Sequence, residues 1–334
     1  MPPDAPGELT TFLAAWAIVS VAALPVFAVA RWLSRREAFR PRWRLVPFRG
    51  TLLDWLLLYG GYVVVMSLAV GGLTAGGVVE RVSARDAAGL NQLRLMAAGF
   101  VALPVLLAAA AFLRRVVHDT PLTFDFRTLP GDVARGLVAG VVFTPAVHAV
   151  YGLTRAVNAA AGGAEREHPL ATVGAGDTPG EVAFFLLSVA VVVPWVEELL
   201  FRGVMLRWLG GRAANAALVF AVALLFAGTK GVAPNPEMAP TLFVVVLAAL
   251  TFGASRWGAS RPRFPVRTAR AVLASSALFA AAHSAVWPSP VPLFVLACGL
   301  GYLTARTGRI TAAVVAHGLF NAVSSVILIR QPAG

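Results

Sequence analysis

The chain has 334 residues and a net charge of +12, yet only 13% of its residues are charged and 58% are hydrophobic, with a mean hydropathy of +0.76. Soluble domains carry roughly 25% charged residues, so this composition excludes a soluble globular protein and predicts an all-α, polytopic integral membrane bundle. Its basic residues fall in short clusters between apolar runs, a pattern that reports orientation in a bilayer and gives no reason to expect nucleic acid as a partner.

Runs of about 20 apolar residues can cross a bilayer as helices. Ten are expected, at 9–33, 51–79, 88–113, 131–158, 180–207, 212–229, 239–256, 269–286, 290–305 and 309–329. The first follows Asp4 and Glu8 and precedes arginines, the reverse of a signal peptide's charge order, so it is expected to stay as an anchor. Pro288, Pro290 and Pro292 crowd the start of the short ninth run, which suits a tilted or re-entrant segment. Basic clusters at 31–49, 114–135, 207–212, 256–270 and 306–309 all fall in odd-numbered connections. The other side has only Arg81, Arg85, Arg94, Arg155, Arg166, Lys230 and Arg330, so the positive-inside rule places the N-terminus outside. A single lysine among many arginines, with abundant Ala, Gly and Val, suggests a GC-rich bacterial genome and hence a bacterial inner (plasma) membrane.

The polar stretch 159–181 divides the chain into an N-terminal group of about four helices, 1–176, and a C-terminal group, 177–330. Cys298 is the lone cysteine, which excludes an intramolecular disulfide and suits a packing role.

Chemistry concentrates in the C-terminal group. An ionised side chain at mid-bilayer costs about 2.5–3.5 kcal/mol on insertion scales, yet the segment PWVEELLFRGV at 194–204 holds three. On a helix Glu198 and Arg202 are i and i+4 and can pair on one face, while Glu197 points about 100° away. A helix simply ending at the surface would also place charges here, but Gly203, Val204, Met205 and Leu206 continue the apolar run, and Pro194 can open space by a kink. Of the five histidines, His118 and His168 lie in polar loops and read as solvated, and His148 reads as a packing or cavity-lining residue. His283 ends the apolar stretch SALFAAAH, and His317 with Asn321 at i+4 forms a polar pair on one helix face, which implies an interior-facing site.

Three segments, Glu197-Glu198-Leu-Leu-Phe-Arg202, Phe279-Ala-Ala-Ala-His283 and His317-Gly-Leu-Phe-Asn321, occur in the order of the motifs Glu-Glu-x-x-x-Arg, Phe-x-x-x-His and His-x-x-x-Asn. In this the chain resembles the CAAX protease and bacteriocin-processing family (CPBP, also called Abi) of intramembrane proteases. The resemblance covers about 180–330 and departs from the family in the long stretch between the first two motifs, which fits a helical insertion around 212–265. Added helices in an even number keep the later motifs in the same orientation.

The resemblance implies an eight-helix-type protease core with extra helices. It also implies an intramembrane endopeptidase that hydrolyses membrane-associated protein or peptide substrates, lipidated ones among them, within the lipid bilayer. Glu197 would be the general base on water and His283 would help hold that water. His317 and Asn321 would donate to the oxyanion, and Glu198 paired with Arg202 would orient Glu197. Glu197, His283 and His317 are also acceptable zinc ligands, as a metalloprotease would need; a metal-free scheme is physically sufficient and is preferred, because no His-Glu-x-x-His helix is present. Two readings from other classes use the same residues: a proton- or ion-coupled transporter, for which no internal repeat is evident, and a non-catalytic immunity or scaffold protein.

Overall fold

The structure, a computed structural model, describes residues 5–33, 48–80, 87–119, 124–160, 162–163, 178–211, 266–284 and 286–330. Among the described residues the protein is entirely helical. The helices are α1 (Ala5–Leu33), α2 (Leu52–Ala75), α3 (Ala87–Phe112, extended by a wide π turn at Leu113–Val117), α4 (Leu129–Ala160), α5 (Pro179–Gly210), α6 (Val266–Ala282), α7 (Pro290–Thr307) and α8 (Thr311–Arg330). Helices α1 to α5 and α8 are long and apolar enough to cross a membrane. Eight of the ten expected segments are therefore helices, and the expected runs 212–229 and 239–256 lie outside the described residues.

Local sequence sets several boundaries. Thr178 caps α5: its hydroxyl accepts from the Glu181 amide while the Glu181 carboxylate accepts from the Thr178 amide, and Pro179 follows at the first helical position. Pro290 opens α7, and Gly308 closes it in the left-handed conformation at φ 73°.

Contacts between helix ends sort onto two sides. At one end the Phe48 amide donates to the Arg207 carbonyl, Arg207 Nη2 donates to the Gly308 carbonyl at 2.6 Å, and Arg309 makes a two-pronged ion pair with Asp132 at 2.5 and 2.9 Å. At the opposite end Arg155 pairs with Glu8 at 3.0 Å, and Trp287 Nε1 donates to Asn158 Oδ1 at 2.7 Å. The end of α5 packs against α6, so the two helices that carry the first two motifs meet at the basic end of the bundle.

Arg114 and Arg207, which positive-inside counting treats as surface charges, are buried instead, at 1% exposure each. Arg114 donates to the Gly203 carbonyl at 3.1 Å and Arg207 to that of Gly308. Helix ends and wide turns leave carbonyls without an intrahelical donor, and these guanidinium groups supply one.

Helix α8 is the hub, packed by α1, α4, α5 and α7. Helices in lipid gain little from burying leucine against leucine and associate through close backbone approach at small residues. Gly136 and Gly140 of α4 provide it: a Cβ at Gly136 would lie 2.6 Å from the Ala312 carbonyl, and one at Gly140 would lie 3.1 Å from that of Ala316. On the other side Gly318 packs on the Ala190 carbonyl of α5, with no room for a Cβ. Leu24 and Val29 of α1 and Leu57 and Leu68 of α2 remain exposed, as a lipid-facing surface requires. Gly136→Val should therefore overpack the α4–α8 contact and destabilise the protein by about 1–3 kcal/mol, read as a lower Tm in detergent. A Tm matching that of the parent would show that the two backbones are not in such close contact.

Candidate active site

Helix α5 is not regular. Wide π turns at Ser188–Val192 and Leu199–Met205 bracket the α-helical turn Val193–Glu198 that carries both glutamates. Such turns are frequent at functional sites because they shift the hydrogen-bond ladder and re-aim side chains. Pro194 has no N–H to offer the Ala190 carbonyl four residues back, and that carbonyl is the one Gly318 packs against. One turn further along α8, Asn321 Nδ2 donates to the Val189 carbonyl at 2.8 Å. The irregularity of α5 thus creates the seat for α8.

Glu198 and Arg202 are both fully buried, and Arg202 Nη1 donates to Glu198 Oε1 at 2.9 Å. His317 Nδ1 approaches the same oxygen at 3.0 Å. Arg202 is also fixed by Nη2 on the Ala297 carbonyl of α7 at 3.3 Å and lies over the Phe279 ring at 4.5 Å. Phe279, itself fully buried, touches the rings of Phe201, His283 and His317 at centroid distances of 5.2, 4.7 and 5.9 Å. One aromatic ring therefore touches the cation and both histidines.

Glu197 points the other way, as the 100° rotation requires, and its side chain keeps 22% exposure. Its Oε1 lies 3.6 Å from His283 Nε2 and its Oε2 lies 3.7 Å from His317 Nε2. The Nδ1 of His283 is 2.8 Å from the Phe279 carbonyl. A carbonyl or carboxylate only accepts, so each Nδ1 carries a proton. In the neutral rings both Nε2 atoms therefore turn lone pairs towards Glu197.

Glu197, Glu198, Arg202, His283 and His317 converge, and Asn321 joins them through Val189 of α5. His148 lies elsewhere: its Nδ1 bonds the Thr144 carbonyl at 3.0 Å, and its ring packs on Phe12 and Phe320. His118 is not simply solvated, because Nε2 lies 3.2 Å from Asp54 Oδ2 and the ring meets Phe48 edge-on. His168 lies outside the described residues. Cys298 is a partly buried free thiol within α7.

One neighbour escaped sequence reasoning. Tyr62 of α2 interacts electrostatically with Glu197. Helix α2 is pinned along α5 by Trp55 Nε1, which donates to the Leu200 carbonyl at 3.1 Å, and Tyr62 lies two turns further on the same face. Its only signal was a phenol in a largely apolar helix that also carries Tyr59.

Residues 179–266 and 255–323 match the sequence model of the type II CAAX prenyl endopeptidase Rce1-like family. The C-terminal region is similar to that family over 179–323. No curated protein and no solved structure matches the chain. The match to the Rce1-like family takes in all three motifs, from Glu197 to Asn321, and begins after α4.

The residue types of the site suit zinc. Among the described residues, however, no group of three His, Cys, Asp or Glu side chains is arranged to hold a metal ion.

Removing one partner of a buried ion pair leaves the other charge uncompensated, at a cost of about 3–5 kcal/mol. Arg202→Met should therefore destabilise the protein by that order. Glu198→Gln combined with Arg202→Met should regain part of the loss, and a double variant no more stable than Arg202→Met would rule out the pair as its source.

Proposed function

We propose that the protein is an intramembrane endopeptidase that hydrolyses peptide bonds of membrane-associated proteins or peptides, lipidated chains among them, through a water activated by Glu197. One observation carries this reading: a partly exposed carboxylate faces two histidine Nε2 atoms at 3.6 and 3.7 Å. These gaps are too long for direct hydrogen bonds and suit a bridging water. A water there can donate one O–H to Glu197 and the other to either Nε2, and its oxygen lone pairs stay free to face an incoming carbonyl carbon.

Glu197 removes a proton as the water oxygen bonds to the carbonyl carbon, and the proton then passes to the amine nitrogen as the C–N bond breaks. Asn321 commits one amide N–H to Val189 and has a second to offer the oxyanion. His317 donates from Nε2 once that atom is protonated, and Glu198 stabilises the resulting imidazolium through Nδ1. Glu198 and Arg202 act by holding His317 and the turn that carries Glu197.

The basic end of the bundle, with Arg31, Arg49, Arg306 and Arg309, is assigned to the cytoplasm, which places the N-terminus outside. Residues 177–330 form the protease domain, with an insertion around 212–265, and the helices of 1–176 form its scaffold. A bacterial inner membrane is the proposed location.

Glu197→Gln keeps the shape and removes the base. With a farnesylated C-terminal peptide as probe, cleavage should fall by at least about 10²–10⁴-fold while the protein still inserts and keeps its Tm; cleavage at the parental rate would overturn the reading. The metal-free scheme expects activity to survive prolonged dialysis against a chelator, and loss that zinc restores would refute it.

A further inference from the structure

His283 is the last group of its motif and ends its helix. Its amide and that of Ser284 bond three residues back, to the Ala280 and Ala281 carbonyls, so α6 tightens and stops there. The chain reaches α7 through two consecutive turns, closed by the Val286 amide on the His283 carbonyl and the Ser289 amide on that of Val286. Trp287 stands at the junction of these turns. Its indole Nε1 donates to Asn158 Oδ1 at 2.7 Å.

Asn158 belongs to α4, outside the segments that match the family. It is 9% exposed, and its Nδ2 donates to the Gly163 carbonyl at 3.0 Å, where the chain leaves α4 through Gly162 at φ 71°. The amide is thereby held by its donor side with its oxygen presented to the indole. Both halves of the side chain are committed, one to its own helix end and the other to the link behind His283.

We propose that Asn158 and Trp287 form a clamp by which the N-terminal helices position His283 against Glu197. His283 stays on Glu197 through its Nδ1 bond to Phe279 and through the link that follows it, and the clamp ties that link to α4. A histidine that follows a helix end has no later helical turn to fix it, so a tether on the next segment limits its excursion. The inference rests on the endopeptidase reading for its kinetic consequence, and Asn158 and Trp287 are positioning residues.

The experiment uses the full-length protein in detergent or liposomes. Trp287→Phe keeps an aromatic ring and removes only the N–H, and Asn158→Ala removes the acceptor. Each should lower kcat by about three- to tenfold, the size of one lost hydrogen bond, with KM little changed. The double variant should fall no further than either single one, since both remove the same contact. Carbethoxylation of His283, followed by mass spectrometry, should proceed faster in both single variants than in the parent, with His118 as the internal reference. Parental kcat in both single variants, or losses that multiply in the double variant, would overturn the clamp. So would unchanged His283 reactivity. Because that reactivity needs no substrate, it tests the clamp even where Glu197→Gln has already shown the endopeptidase reading to be wrong.

Discussion

A carboxylate and a guanidinium shut away from water are costly unless they compensate each other, and the Glu198–Arg202 pair adds contacts from three other helices, leaving Glu198 Oε2 and Arg202 Nε without a hydrogen-bond partner. Arg202 reaches the Ala297 carbonyl of α7 and the Phe279 ring of α6, and Glu198 accepts a hydrogen bond from Nδ1 of His317 on α8. Desolvation makes each of these contacts costly to lose. The demand for compensation therefore fixes the relative placement of α5, α6, α7 and α8 around Glu197, whose own carboxylate is left to face the two histidines.

Close backbone approach does the rest. Lipid offers no hydrophobic incentive to press one apolar helix on another, so α8 is held by shape: Gly136 and Gly140 admit it on the α4 side, and Gly318 meets the carbonyl that Pro194 leaves without an N–H. Irregularity in α5 and smoothness in α8 are complementary. A regular α5 would present a satisfied ladder, and Asn321 would have no reason to reach the Val189 carbonyl.

Much of the site was legible in the sequence because charge inside an apolar run is rare and must be explained. Glu198 and Arg202 show their pairing at i and i+4, and Asn321 shows its face beside His317. His283 was the weakest of the expected site residues, since a lone histidine at the end of an apolar stretch is equally a packing residue and a long stretch separates it from the glutamates; its Nε2 nevertheless lies 3.6 Å from Glu197. Tyr62 and Asn158 gave almost no signal, because each is one polar group on a helix far away in sequence. Arg114 and Arg207 misled in the opposite direction: a count of arginines at helix ends cannot tell a surface charge from a guanidinium that caps a buried carbonyl.

The sequence by itself determined that this is a helical membrane protein, where its described helices run, and which five charged and imidazole groups had to find partners inside it. Those results rest on local physics: the length of apolar runs, the 3.6-residue period and the cost of charge in lipid. Only the tertiary structure decided which partner each group found. Both histidines could have faced Glu198, and Glu197 could have faced lipid. Which oxygen meets which nitrogen depends on the bends in α5 at its two wide turns and on how closely glycine lets α8 approach, and neither follows from spacing along a single helix.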